Sequence, residues 1–132
     1  MRKLKFKNAV LCEYVTIGSG NRHILVNVYS SDIVIEAPGT IPMGLYVEHL
    51  PDASGSIDIA IEIRIDGTVA LRLDVNAVGL RKGSVGIIAV PSIPINITHA
   101  GSFEVVAHSM NYADTAIIEK SIIIGTIPSP TA

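Results

Sequence analysis

The chain has 132 residues, 10 basic against 12 acidic side chains for a net charge of −2, and 48% hydrophobic residues with only 5% aromatics and no Trp. That length is enough for one domain with its own core, and the charge balance is too near neutral to imply a nucleic-acid or other polyanionic partner through bulk electrostatics. The single cysteine, Cys12, excludes an intramolecular disulfide and the Cys-rich zinc patterns.

The apolar set is dominated by Ile and Val, whose stiff branched side chains favour strands. Low charge also leaves little self-repulsion, which favours association. The chain begins with Arg2, Lys3, Lys5 and Lys7 around Leu4 and Phe6. The apolar stretch that follows, residues 9–12, is too short for a secretory h-region. This alternation reads as a lysine-guarded edge strand, with contact to an anionic membrane or nucleic acid as the alternative. No aromatic platform accompanies the charges, which weighs against single-stranded nucleic acid. No apolar run reaches the roughly 18 residues of a transmembrane helix, so no membrane insertion is expected.

Strands are expected at 10–17 and 24–29, joined as a hairpin by Gly18-Ser19-Gly20-Asn21-Arg22. A short strand at 33–36 stops at Pro38-Gly39. Another at 44–50 stops at Pro51 and the 52–56 loop. The clearest segment is 57–65, with Ile at every odd position and a small or charged residue at every even one. Period 2 of this kind marks a strand with one buried face. It resumes after Asp66-Gly67-Thr68 with Val69, Leu71, Leu73 and Val75.

A two-residue Asp66-Gly67 loop would set Ile63 opposite Ala70 and mix the two faces. A three-residue loop, 66–68, pairs Ile65 with Val69, Ile63 with Leu71, Ile61 with Leu73 and Ile59 with Val75. The odd loop, or an equivalent bulge with Gly67 supplying the special backbone angles, is therefore expected. Glu62 then faces Arg72 as an exposed pair contributing roughly 0.2–1 kcal/mol.

Further strands are expected at 85–90, at 93–98 with Pro94 marking an edge or irregularity, at 103–108 and at 121–124. Residues 111–119 read as a helical turn or a loop entering the last strand. The fold class is all-β, an antiparallel two-sheet sandwich of Ig-like or C2-like architecture with about eight strands, a barrel being the alternative. Residues 1–127 form one domain and 128–132 a flexible tail.

No chemistry is assembled by spacing. His23, His49, His99 and His108 lie far apart, and the cupin cue of two nearby His followed by Glu is missing. Ser19 lacks the full nucleophile elbow. Cys12 reads as a buried, unreactive thiol. Asp58, Glu62, Asp66 and Asp74, interleaved with Arg64 and Arg72, read as a solvated sheet face, and the 52–58 loop offers too few oxygen ligands for calcium. No catalytic residue, no metal ligand and no cofactor is assigned.

The segments Ala9-Val10-Leu11-Cys12-Glu13, Pro42 before a strand, and Ile93-Pro-Ile-Asn-Ile followed by Gly101-Ser-Phe-Glu-Val-Val resemble a family of small bacterial β-sandwich proteins of unknown function. That resemblance implies the fold and transfers no catalytic residue. The chain lacks the Cys…Trp…Cys core of Ig domains and the Asp-rich calcium loops of C2 domains.

The expected function is a non-enzymatic protein–protein interaction or structural module, acting through sheet edges or loops and self-associating, in a bacterial or phage cytoplasm. The expected partner is a protein or a second copy, with no nucleic acid. The alternatives are a small-ligand or carbohydrate-binding sandwich using Tyr14, Tyr29, Tyr46 and Tyr112, and a metal-dependent cupin-like enzyme.

Overall fold

A computed structural model describes residues 2–125. The proposed tail, 128–132, lies outside these residues. The strands are β1 (Arg2–Lys3), β2 (Lys5–Ile17), β3 (His23–Val28), β4 (Ile33–Ile35), β5 (Gly39–Leu50), β6 (Gly55–Ile65), β7 (Thr68–Leu80), β8 (Gly86–Ile97), β9 (Gly101–His108), β10 (Tyr112–Ala113) and β11 (Thr115–Ile124). They form a five-stranded sheet in the order β4-β11-β9-β6-β7 and a four-stranded sheet in the order β3-β2-β5-β8, with β1 and β10 pairing separately. The two large sheets pack as an all-β sandwich. Pairing within them is antiparallel except for β4 beside β11, and β1 also runs parallel to β10.

The inner faces follow the period-2 pattern. Leu11, Leu45, Val47, Ile88, Ile95 and Ile97 of the four-stranded sheet meet Ile59, Ile61, Ile63, Phe103, Val105 and Ile122 of the other in one apolar cluster. The edges of the sheets fall in two pairs. β3 and β4, joined by residues 29–32, flank one open side of the sandwich, while β7 and β8, joined by residues 81–85, flank the other.

The β6–β7 hairpin corrects the expected loop. Ile65 pairs with Thr68, not Val69, so Asp66 and Gly67 alone form the turn. Both have positive φ, 49° and 79°, the type I′ geometry whose twist matches that of the strands. A register shift beyond Arg64 then leaves Ala70 as the extra residue and restores Ile63 opposite Leu71, Ile61 opposite Leu73 and Ile59 opposite Val75. The bulged alternative therefore carries the face-preserving register. Gly67 supplies part of the geometry, and Asp66 the rest.

Several strands are longer than expected. β8 runs unbroken through Pro91 and Pro94 because it is an edge strand, where a missing N–H removes no ladder bond. Pro42 lies inside β5 rather than before a strand, directly opposite Pro94. The Tyr29 hydroxyl donates to the Pro42 carbonyl at 2.9 Å, so Pro42 turns its polar groups away from β8 and forfeits no bond with it. Residues 111–119 hold no helix, because Tyr112–Ala113 and the start of β11 occupy them as strand.

Candidate functional site

The residues weighed for chemistry do not converge. His23 stacks beside Tyr46 with ring centroids 5.3 Å apart, and His49 beside Phe6 at 5.5 Å. The His99 Nε2 lies 2.7 Å from Asp66, and the His108 Nδ1 lies 2.5 Å from Asp114. Among the described residues no three His, Cys, Asp or Glu side chains are grouped to hold a metal ion. Ser19 sits in a 3-10 turn, Ser19–Asn21, that links β2 to β3.

Cys12 is fully buried and its thiol donates to the Tyr14 carbonyl at 3.3 Å. Burial raises its pKa, with the backbone contact opposing in part, so the thiolate is disfavoured. The tyrosines are equally scattered. Tyr29 is tied to Pro42, Tyr46 donates to Glu48 and Tyr112 donates to Asp52. No aromatic platform forms from them.

Asp52, in the expected 52–56 loop, holds both Tyr112 (2.8 Å) and Arg2 (3.3 Å), and the Arg2 guanidinium lies 4.8 Å above the Tyr112 ring. The basic start is thus partly a clamp at the β1–β10 end. Lys5 and Lys7 are exposed on the first half of β2, which pairs with β5 but meets β3 only from Cys12 onward. That arrangement agrees with an edge guarded by lysine.

The sheet edges differ in how they are protected. β4 is only three residues long, β7 carries Arg72 and Asp74, and β8 contains two prolines. All of these discourage strand addition. β3, His-Ile-Leu-Val-Asn-Val, has neither charge nor proline. Only Asn27, with φ 52° and its amide donating to Glu13 at 3.1 Å, bends its far end.

Register places Tyr14 opposite Val26, Thr16 opposite Ile24 and Cys12 opposite Val28. Tyr14, Ile24, Val26 and Val28 are all exposed on this one outward face, and Ile17 stands at the hairpin tip, 67% exposed. None of the paired residues on this face is charged, and the exposed Arg22, extended just before β3, marks its end. Sequence reading located the hairpin but missed this face. Its signal is Ile24, Val26 and Val28 alternating with no charge on either parity.

Gly44 sets where this hairpin sits. A Cβ there would lie 2.7 Å from the Pro91 carbonyl, 3.1 Å from the Val15 nitrogen and 3.2 Å from the Tyr14 carbonyl carbon. β2 therefore passes directly over β5 at Gly44 and reaches β8, where the Ser92 hydroxyl donates to the Glu13 carbonyl at 3.1 Å. Val15 is buried at this crossing.

The polar face of the β6–β7 hairpin is not a row of independent charges. Glu62, only 12% exposed, sits 2.6 Å from Arg64 and 3.9 Å from Arg72, while Arg64 also reaches Asp114 at 3.4 Å. His108 first, and then Arg64, hold the Asp114 carboxyl below its ordinary range. The Glu62–Arg72 pair expected from register is present, but as part of a partly buried network.

Neither a protein-family model nor a curated protein matches the chain. Among solved structures, the chain is similar to the CARDB domain of the PF1109 protein of Pyrococcus furiosus, described as in complex with di-metal ions. The two are 11% identical, with 90% of this chain and 96% of that chain covered and a TM-score of 0.42. So distant a likeness assigns no activity or ligand.

Proposed function

We propose that the protein is a non-enzymatic interaction module that self-associates through the outward face of the β2–β3 hairpin. The observation that carries this reading is an uncharged apolar face beside β3, an edge strand that neither charge nor proline protects. Exposed clusters of this kind mark association surfaces, and unguarded edges recruit strands.

A second copy is the partner that the chemistry favours. An uncharged face offers nothing to a charged partner, while two-fold pairing sets Ile24, Val26 and Val28 against the same residues of the other copy. With a net charge of −2, long-range repulsion between copies is weak.

Light scattering across about 1 µM to about 1 mM protein tests the reading. A concentration-dependent dimer is expected, and Val26→Lys is expected to raise its Kd by at least about tenfold without lowering the melting temperature, since Val26 already faces solvent. A wild-type protein that stays monomeric over the whole range overturns self-association.

A further inference from the structure

On the other sheet, the outward face carries a depression of about 440 Å³ lined by Asp58, Ala60, Arg72, Asp74, Asn76, His108 and Met110, among others. Register explains its shape. Ala60 is flanked by Asp74 on β7 and His108 on β9, and Asp58 faces Asn76 one step along. The Ala60 methyl is thus a low floor between longer polar side chains. The volume falls in the range of small-molecule sites, roughly 300–1,000 Å³.

The walls are pre-set by hydrogen bonds. The Asn76 amide donates to Asp58 Oδ1 at 2.6 Å and Arg72 Nε to Asp74 Oδ1 at 3.2 Å. The Asp114 carboxylate engages His108 Nδ1, which leaves Nε2 as the ring atom open to a ligand. The Ser109 hydroxyl donates to the Asp58 carbonyl at 2.6 Å and the Tyr112 amide to the Ser109 carbonyl at 3.1 Å, fixing the turn that carries Met110. Met110 is 82% exposed, the most exposed large apolar side chain among the described residues, and stands apart from the apolar cluster of the core.

We infer that this depression binds an uncharged, polyhydroxylated small molecule, a sugar of one or two rings. Arg72 offsets the charge of Asp74 and the Asn76 amide occupies one oxygen of Asp58, and among the described residues no three acidic or His side chains gather to hold a metal ion. The single guanidinium is shared between Asp74 and Glu62, so an anion meets two carboxylates for one engaged cation. The second oxygens of Asp58 and Asp74 accept from hydroxyls, Arg72 and Asn76 donate to them, and His108, whose Nδ1–H is given to Asp114, offers Nε2 as an acceptor. Met110 gives a C–H face its apolar contact.

The site lies on the sheet opposite the self-association face and does not depend on it. Amide chemical shifts followed by NMR while glucose, galactose, mannose or maltose is added to about 50 mM test the inference. For at least one sugar, saturable shifts are expected at Ala60, Asp74, Asn76 and His108. Asp74→Ala, at an exposed position, is expected to weaken binding about tenfold, and Ala60→Leu to abolish it by filling the floor, with melting curves confirming that both variants fold. The inference is overturned if no sugar gives saturable shifts there, if both variants bind as the wild type does, or if glucosamine or glucose 6-phosphate binds more tightly than the neutral sugars.

Discussion

Gly44 and His49, on the same strand, show how single residues set limits on this fold. Gly44 lies beneath the β2 backbone with no space for a side chain, and the contacts that a Cβ would make are with backbone atoms that cannot rotate away. Gly44→Ala is therefore expected to cost about 1–3 kcal/mol, read as a lower midpoint in denaturant. Gly39→Ala, where nothing lies within 4 Å of the added Cβ, serves as the control and is expected to change little.

His49 is 3% exposed and its Nδ1 has no hydrogen-bond partner. Burial lowers its pKa, and the nearby Asp52 opposes this in part. Lys3, Lys5 and Tyr112 line the same niche. The folded chain therefore holds the ring neutral. Above the unfolded-state value of about 6.5 its contribution to stability is complete. As pH falls below that value, the unfolded chain takes up a proton that the folded chain refuses, and stability declines until the folded ring itself titrates. The decline between pH 7.5 and pH 5.5, followed by urea denaturation, is expected to be shallower in His49→Gln.

At the scale of elements, the β6–β7 turn is held from outside as well as by its own geometry. The Asp66 amide donates to the Ser102 carbonyl at 3.0 Å, and its carboxylate accepts from the Ser102 amide at 2.8 Å and from the Ser102 hydroxyl at 3.2 Å. The His99 Nε2 lies 2.7 Å from the same carboxylate. A Cβ on Gly101 would come within 2.5 Å of the carboxylate oxygens, so a side chain there would displace the Asp66 carboxylate from the clamp. The Ser102 amide first, with His99 adding, holds the Asp66 carboxyl below its ordinary range. The stability it adds is present above the unfolded carboxyl pKa and is lost as pH falls through the lower folded value.

Asp66→Ala removes the carboxylate contacts and forces an alanine into left-handed backbone, so a lower denaturation midpoint and faster amide exchange at Ser102 are expected. Asp66→Asn, which tolerates the backbone and keeps an acceptor, is expected to fall between. Alternation of Ile in residues 57–65 made the hairpin legible, and conservation of its inner face made the register legible. The turn type was not, because a bulge at Ala70 and a three-residue loop give the same register from Ile63 onward.

For the whole molecule, the two open sides of the sandwich differ in what they present. The β7–β8 side carries charge and proline, whereas the β3 edge carries neither. On the β7–β8 side lies a groove of about 490 Å³, lined mainly by aliphatic residues with Arg81 as its one charged side chain. Self-association through β2–β3 rests on apolar burial, so the dimer's Kd is expected to stay level or fall as salt rises from about 50 mM to about 500 mM. A Kd that rises steeply with salt would instead point to a charged interface.

The sequence by itself determined the all-β class, most strand positions, the long hairpin and the buried state of Cys12, since these follow from local alternation, chain punctuation and residue size. It did not locate the surfaces that matter, because these depend on neighbours far apart in the chain. Tertiary structure alone brought β2 over Gly44 and, among the described residues, left the β3 edge without a further strand beside it. It also set Ala60 between Asp74 and His108, so that the hairpin face read as a solvated sheet surface became the floor and wall of a depression. Period 2 tells which side chains share a face, while only strand order decides what lies beside that face and whether anything covers it.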